Sequence, residues 1–208
     1  MFDRKNHWEK VYSSKSPLEV SWHQADPALS LRLINDADIE RDAAIIDVGG
    51  GASNLVAMLC EAGYSDLSVL DISANALAHA KLRMEDTSCD VQWYEEDITR
   101  FKPPRQFDLW HDRAVFHFLT RQEDRDCYVA ALKKALIPGS HLVIMTFATD
   151  GPVQCSGLEI VRYDADKMMA ALGPDFEMVD KGIEAHTTPA GGEQKFVFFR
   201  LVFMPILV

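Results

Sequence analysis

The chain has 208 residues, of which 48% are hydrophobic and 25% are charged. This is an ordinary globular composition, so it argues against disorder and predicts one domain over residues 1–208. The net charge of -11 argues against a nucleic acid or an anionic membrane surface as a partner, because phosphate binding needs a basic stripe that the sequence lacks.

Apolar periodicity and turn residues predict helices and strands that alternate along the chain. The predicted helices are residues 3–14, 27–36, 53–62, 74–84, 113–119, 122–136 and 164–172. The predicted strands are residues 44–48, 67–71, 91–94, 107–111, 141–147, 176–184 and 194–203. Such alternation requires right-handed crossovers between parallel strands. We therefore expect an α/β, Rossmann-like fold with a seven-stranded, mostly parallel sheet, helices on both faces and a C-terminal antiparallel hairpin strand.

The most informative segment is residues 43–53. An apolar run leads into Asp47, and Gly49, Gly50 and Gly51 follow before a helical pattern begins. The apolar run indicates a buried parallel strand, and the glycines indicate a turn where backbone closely approaches a ligand. Such a strand, glycine turn and helix open many nucleotide-binding α/β folds.

Acids stand at or just past the ends of four predicted strands: Asp47, Asp71, Asp97 and Asp112. Ligands of such sheets bind beyond the carboxyl ends of the strands. Asp71 can accept hydrogen bonds from both hydroxyls of a ribose, Asp97 from an exocyclic amine, and Asp47 can hold an ammonium group. No Lys or Arg accompanies the glycines to meet a pyrophosphate. The pattern therefore favours a cationic adenosine ligand without phosphate.

Five motifs over roughly residues 40–150 resemble those of class I S-adenosylmethionine-dependent methyltransferases. They are Asp47-x-Gly49-Gly50-Gly51-x-Ser53, Val69-Leu70-Asp71-Ile72-Ser73, Glu96-Asp97-Ile98, Phe107-Asp108-Leu109-Trp110-His111-Asp112 and Leu136-Ile137-Pro138-Gly139-Ser140. Ser53 replaces the last glycine of the first motif. The resemblance implies a transferase with S-adenosylmethionine as cofactor and S-adenosylhomocysteine as product.

The resemblance also implies which residues bind the cofactor. They are Asp47, Gly49, Gly50, Gly51, Asp71, Ile72, Asp97, Ile98 and Asp112. Asp47, Gly49 and Gly51 would border the methionyl part. Asp71, Ile72, Asp97 and Ile98 would border the ribose and adenine, and Asp112 would lie beside His111 and the transferred methyl. Two simpler interpretations remain open: Asp97 caps a turn, and Asp112 pairs with Arg113 or Arg121.

Methyl transfer needs a general base only where the accepting atom is protonated at neutral pH. The candidates for such a catalytic residue are His117, His111 and Tyr12, with packing in the core as the alternative for His117. The sequence predicts no metal site. Its four cysteines are widely spaced, so we expect reduced thiols, with Cys155 in an exposed loop.

The acceptor site is expected outside the motifs. Residues 1–40 would form a lid with N-terminal helices, residues 41–147 the cofactor-binding core, and residues 148–208 a substrate-side insertion and the closing hairpin. Trp8, Tyr12 and Trp22 would belong to the lid or simply pack its helix on the sheet. The expected acceptor is a small molecule: a thiol, an amine or a carboxylate.

Three other functions remain open. The segment from His7 to Tyr12 looks somewhat like that of protein-lysine methyltransferases of this fold, which makes a protein substrate possible. Gly49-x-Gly51 and Asp71 partly fit a nicotinamide-dependent oxidoreductase, although Asn54 stands where a third glycine is expected. The third is a non-catalytic binding module that has kept the fold.

The compartment and assembly follow from simple features of the chain. Residues 1–10 carry charges without an apolar run, which predicts no signal peptide, and no segment approaches the ~20 apolar residues of a membrane span. We expect a cytoplasmic monomer or homodimer. The apolar tail, residues 203–208, is predicted to cover a partner or the edge of the sheet.

Overall fold

The computed structural model describes residues 2–85 and 87–205. The helices are α1 (Arg4–Ser14), α2 (Ala28–Asn35), α3 (Leu55–Glu61), α4 (Ala74–Met84), α5 (Gln122–Ala135) and α6 (Ala165–Leu172), with a 3₁₀ helix at Phe116–Phe118. The strands are β1 (Ala44–Val48), β2 (Asp66–Asp71), β3 (Val91–Glu95), β4 (Phe107–Arg113), β5 (Leu136–Phe147), β6 (Gln154–Cys155), β7 (Leu158–Glu159), β8 (Phe176–Thr187) and β9 (Glu193–Phe203).

Seven strands form one sheet in the order β3-β2-β1-β4-β5-β9-β8. The first five are parallel, and β9 runs antiparallel between β5 and β8. β6 and β7 pair with each other in a separate two-stranded sheet, within the segment that was predicted as the substrate-side insertion. The Rossmann-like α/β fold and its antiparallel closing strand are confirmed.

The sheet buries both faces, as its apolar parallel strands require. Ile46 belongs to the same core cluster as Tyr128 of α5 and Met168 of α6, whereas the adjacent Ile45 belongs to the cluster that includes Leu33 of α2 and Leu77 of α4. Successive side chains of a strand point to opposite faces, so one strand contributes to two cores. This leaves the ends of the strands as the place where polar side chains gather.

Helix starts are set by local hydrogen bonds. The Ser73 hydroxyl accepts from the Ala76 amide at 3.1 Å and begins α4, and the Asp164 carboxylate accepts from the Lys167 amide at 2.9 Å and begins α6. No helix among the described residues is both long enough and apolar enough to cross a membrane. The predicted cover formed by the apolar tail rests partly on residues 206–208, which lie outside the described residues.

Two predictions about the cysteines are wrong. Cys60 at the end of α3 and Cys89 before β3 form a disulfide, with Cα atoms 6.2 Å apart, although reduced thiols were expected. Their pairing is a contact across 29 residues of chain, which spacing alone does not reveal. Cys155 is buried in β6, and Cys127 is the exposed thiol.

The disulfide should stabilise the fold by restricting the unfolded chain. Replacing both Cys60 and Cys89 by Ser should lower the free energy of unfolding by about 3 kcal/mol, as measured by denaturant titration under non-reducing conditions. Cys127→Ser is the matched control, because that thiol is free and exposed. Equal stability of the double variant and the wild type would contradict this expectation.

Candidate active site

The glycine turn after β1 leaves no space for side chains. Gly49 has a φ of +73°, and a Cβ atom there would lie 2.1 Å from Cγ2 of Val115. A Cβ atom on Gly50 would lie 2.1 Å from Oδ2 of Asp47. The neighbours therefore occupy the space that larger residues would need, and glycine is required both for conformation and for room.

Asp71, the last residue of β2, is held by the same turn. Its Oδ2 accepts from the Gly51 amide at 3.1 Å, and its Oδ1 accepts from the Ser73 amide at 2.8 Å. Burial raises the pKa of Asp71 to about 6, although these two hydrogen bonds act in the opposite direction. Each carboxylate oxygen keeps capacity to accept one more hydrogen bond.

Asp97 lies across from Asp71, just beyond β3. Its Oδ1 accepts from the amide and the hydroxyl of Thr99 at 2.9 and 2.8 Å, so the carboxylate does cap a turn. Its Oδ2 lies 3.6 Å from the Arg4 guanidinium of α1, which also contacts Asp124. The turn-capping interpretation and a place beside the cleft are thus both realised.

Two adjoining cavities open at this edge of the sheet. The outer cleft, of about 790 Å³ with its open mouth, contains most predicted cofactor residues in its wall. Its lining includes Gly49, Asp71, Ile72, Asp97, Ile98, Tyr12, Trp8, Trp22, Phe118, Arg113 and Cys155. The inner cavity, of about 550 Å³, is lined by residues that include Asp47, Gly49, Gly50, Ser30, His23, His111, Trp22 and Arg113. Gly51 lies outside both linings and acts through its bond to Asp71.

Asp47 is positioned by a buried histidine. Nδ1 of His111 lies 2.7 Å from Oδ1 of Asp47, and Nε2 of His111 lies 3.0 Å from the Ser30 hydroxyl of α2. Oδ2 of Asp47 is buried and has no hydrogen-bond partner among residues 2–85 and 87–205. Ser30 was not predicted, because a single serine in an amphipathic helix carries no signal of this contact.

The structure does not place Asp112 beside the cleft, which corrects the prediction of its position. β4 extends to Arg113, so Asp112 points to the opposite face from His111 and Arg113. Its carboxylate accepts from the Val115 amide at 2.8 Å and from the Tyr128 hydroxyl at 2.7 Å, and it lines neither cavity. The predicted ion pair with Arg113 or Arg121 is replaced by this bond to Tyr128.

The three predicted catalytic residues occupy different surroundings. His117 is fully buried against Phe118 and Phe147 and lines neither cavity, and burial lowers its pKa to about 3. His111 has both ring nitrogens in contact with Asp47 and Ser30. Tyr12 lines both cavities, and its hydroxyl accepts from the indole of Trp22 at 3.2 Å.

Helix α1 covers the outer cleft. Ring contacts join Trp8 to Trp22 and Phe118, with centroids 5.7 and 5.1 Å apart. At the other side of the helix, the Glu9 carboxylate accepts from the Ala74 amide at 2.6 Å, at the start of α4. The His7 ring lies 3.4 Å from the Ser156 hydroxyl, between β6 and β7. The N-terminal helix and the hairpin therefore meet over the cleft.

Arg113 is a second residue of this site whose place the sequence analysis missed. The predicted strand ended two residues too early, which hid the alternation that directs Arg113 to the same face as His111. Its guanidinium lines both cavities and donates from Nη1 to the Trp22 carbonyl at 3.0 Å. It also lies 4.6 Å from the ring centroid of Phe196.

Comparisons with known proteins agree with this geometry. A family model described as a methyltransferase domain matches residues 45–139. A methyltransferase structure from Anabaena variabilis described as S-adenosylmethionine-dependent superposes with a TM-score of 0.76 at 15% identity, over 98% of this chain and 96% of that one. N-methyltransferase NodS from Bradyrhizobium japonicum, in complex with S-adenosylhomocysteine, gives 0.69 at 16% identity, over 97% and 99%.

One curated relative is the eEF1A lysine and N-terminal methyltransferase of Danio rerio, 21% identical over 183 residues. The match spans 86% of this chain but only 26% of that protein, so the chain corresponds to about a quarter of the relative's length.

The family model covers residues 45–139, which is less than half of the chain, and the superposed methyltransferase structures share its fold. The likeness of the solved structures concerns the fold, so the methyl acceptor does not follow from it.

Gly49→Ala should test the crowding at the turn. The added methyl group meets Val115 and requires an unfavourable positive φ, so we expect a loss of about 1–3 kcal/mol in the free energy of unfolding. Gly192→Ala is the matched control, because a Cβ atom there would have its nearest contact at 3.4 Å, to Oγ1 of Thr188. Thermal unfolding of both variants measures the difference, and equal melting temperatures would contradict the crowding.

Proposed function

We propose that this enzyme transfers the methyl group of S-adenosylmethionine to a small-molecule acceptor. The observation that carries the proposal is the covered cleft: α1 and the β6–β7 hairpin meet above it through His7 and Ser156. The space beside the glycine turn is therefore bounded by aromatic side chains rather than open along a groove. A thiol, an amine or a carboxylate group on a compact molecule fits such a space.

The residues present fit the cofactor. Asp71 would accept hydrogen bonds from its ribose hydroxyls, while Ile72 and Ile98 would flank the adenine next to Asp97. Asp47 has a buried oxygen without a partner among the described residues, and an ammonium group would supply one. The turn at Gly49 and Gly50 keeps side chains out of the space between these groups.

The reaction is a displacement at a methyl carbon, for which the bound cofactor supplies a methyl group on a positively charged sulfur. The chain contributes mainly by holding the acceptor in line and by excluding water. Trp8, Trp22 and Phe118 form the apolar part of the wall that does this. Tyr12 can orient a polar group through its hydroxyl.

None of the three predicted catalytic residues is well placed as a general base. Burial raises the pKa of Tyr12 well above its usual value, so its phenol stays protonated near neutral pH. The ring nitrogens of His111 already contact Asp47 and Ser30, and His117 is buried away from both cavities. This favours an acceptor atom that is already unprotonated, such as a carboxylate or a thiolate. For a protonated acceptor, His23 in the wall of the inner cavity is the better placed histidine.

A protein acceptor is the second candidate. It is favoured by the match to the Danio rerio enzyme, whose name describes lysine and N-terminal methylation of eEF1A. It requires α1 to move aside, because a lysine side chain on a folded protein must reach the sulfur from outside.

A methyl-transfer screen decides between the two acceptors. The enzyme is incubated with methyl-labelled cofactor and either a protein-free metabolite extract or a dialysed protein extract. We expect label in the small-molecule fraction, followed by assignment with pure thiols, amines and carboxylates. Label confined to protein would contradict the small-molecule proposal and support the second candidate.

Asp71 should control cofactor binding. Asp71→Asn should weaken S-adenosylhomocysteine binding at least about 100-fold at pH 8, because two charge-assisted hydrogen bonds are lost. Isothermal titration calorimetry measures this, with Asp108→Asn as the control. Asp108 accepts from the Ala44 amide and lines neither cavity.

The same carboxylate predicts a pH dependence. Burial raises the pKa of Asp71 to about 6, and only the ionised form accepts from both hydroxyls. Affinity for S-adenosylhomocysteine should be full above pH 6 and fall about tenfold per pH unit below it. Because the pKa of Asp71 is raised in the folded state, protonation of this carboxyl stabilises the folded protein in acid, and that contribution is lost as pH rises through 6. The loss of affinity in acid is therefore not caused by unfolding through this group. A flat affinity from pH 8 to pH 5 in the wild type would contradict the assignment.

A further inference from the structure

The guanidinium of Arg113 is buried but incompletely paired. Its side chain is 11% exposed, and its Nη1 donates to the Trp22 carbonyl. Nε and Nη2 are buried and have no hydrogen-bond partner among the residues that the structure describes. Leaving donors of a charged group unpaired in a buried site is costly, so their presence points to a ligand that accepts from them.

The nearest carboxylate balances the charge without occupying those donors. Oε2 of Glu184 lies 3.8 Å from Nη2 of Arg113, which is too long for a hydrogen bond. Glu184 is held at the other oxygen, where Oε1 accepts from the Gln24 amide group at 3.0 Å. The Nε–Nη2 edge of Arg113 is the part of a guanidinium that binds a carboxylate with two parallel hydrogen bonds.

Arg113 lines both the outer cleft and the inner cavity. Asp47 lines the inner cavity too, and its Oδ2 is buried with no partner in the described part of the chain. Among the described residues, one cavity therefore contains a cationic edge and an anionic oxygen that both lack a hydrogen-bond partner. Such a pair suits a ligand that carries a carboxylate, with or without an ammonium group beside it.

We propose that Arg113 binds a carboxylate at the junction of the outer cleft and the inner cavity. This rests on the proposed function, since the carboxylate belongs either to the methionyl end of the cofactor or to the methyl acceptor. Both sources present the same chemistry to the guanidinium. The residue thereby acts as a binding and specificity residue of the transfer reaction.

The first arm of the test uses two cofactor analogues. S-adenosylhomocysteine carries the amino-acid end, and 5′-methylthioadenosine lacks it. If the cofactor is the source, Arg113→Gln weakens S-adenosylhomocysteine binding about 10- to 100-fold in calorimetry and leaves 5′-methylthioadenosine binding unchanged. Arg113→Lys, which keeps the charge without the planar fork, gives a smaller loss. Arg162→Gln is the matched control, because Arg162 lines neither cavity and donates to the Gly151 carbonyl.

The second arm uses benzoate and benzamide as probes for the acceptor side. Trp8 and Trp22 line the cleft, so their fluorescence reports occupancy. If the acceptor is the source, benzoate but not benzamide changes the fluorescence of the wild type, and Arg113→Gln abolishes this response while retaining S-adenosylhomocysteine binding. The benzoate titration is performed with and without S-adenosylhomocysteine. It therefore measures benzoate binding at Arg113 even if S-adenosylhomocysteine does not bind.

Glu184→Gln separates carboxylate binding from a structural role. It removes the neighbouring charge and leaves the Nε–Nη2 edge in place, so carboxylate affinity should be retained or increased. The proposal is overturned if Arg113→Gln weakens the binding of both adenosine compounds equally. In that case Arg113 would have only a structural role in holding residues 20–25, and Glu184→Gln should weaken both compounds in the same way. It is also overturned if neither arm shows a carboxylate-specific effect. Absence of S-adenosylhomocysteine binding by the wild type is a separate result, which counts against the proposed function.

Discussion

Buried carboxylates at the ends of parallel strands organise this site, because each must find hydrogen-bond donors without water. Asp71 obtains two backbone amides from the residues that follow β1 and β2, and Asp112 obtains the amides that follow β4. Each carboxylate thereby fixes the course of the chain beyond its strand. The glycines of the β1 turn follow from the same constraint, since Asp47 and Asp71 occupy the volume that Cβ atoms on Gly50 and Gly51 would fill.

The fold and the outer cleft could be predicted from sequence because their signals are local. Strand length, alternation and capping residues such as Ser73 act over a few positions, and the order of motifs then placed Asp71 and Asp97 at one edge. The wrong predictions about the site depend on which face of the sheet a side chain points to. Because β4 extends two residues beyond its predicted end, Asp112 points towards Tyr128 and Arg113 points into the cavities. No local pattern in the sequence fixes where a strand stops to that accuracy.

Contacts between residues far apart in the chain could not be predicted from the sequence either. The disulfide joins Cys60 and Cys89 across 29 positions, and the ring of His111 contacts Ser30 across 81 positions. The sequence analysis named His111, but a general base and a positioning residue have the same sequence signature. Only the contacts of both ring nitrogens distinguish the two, and here they favour positioning.

The hydrogen bond from His111 to Ser30 joins the N-terminal segment to the centre of the sheet. Ser30 on α2 fixes one side of the imidazole, and the other side fixes Asp47 at the end of β1. A shift of α2 would therefore also move Asp47, which lines the inner cavity, through these two hydrogen bonds. A shortened protein that starts at residue 41 would keep every motif of the core and still lose the alignment of that acid. Residues 1–40 therefore contribute to the alignment of Asp47, and the contact between Ser30 and His111 crosses the predicted boundary between lid and core.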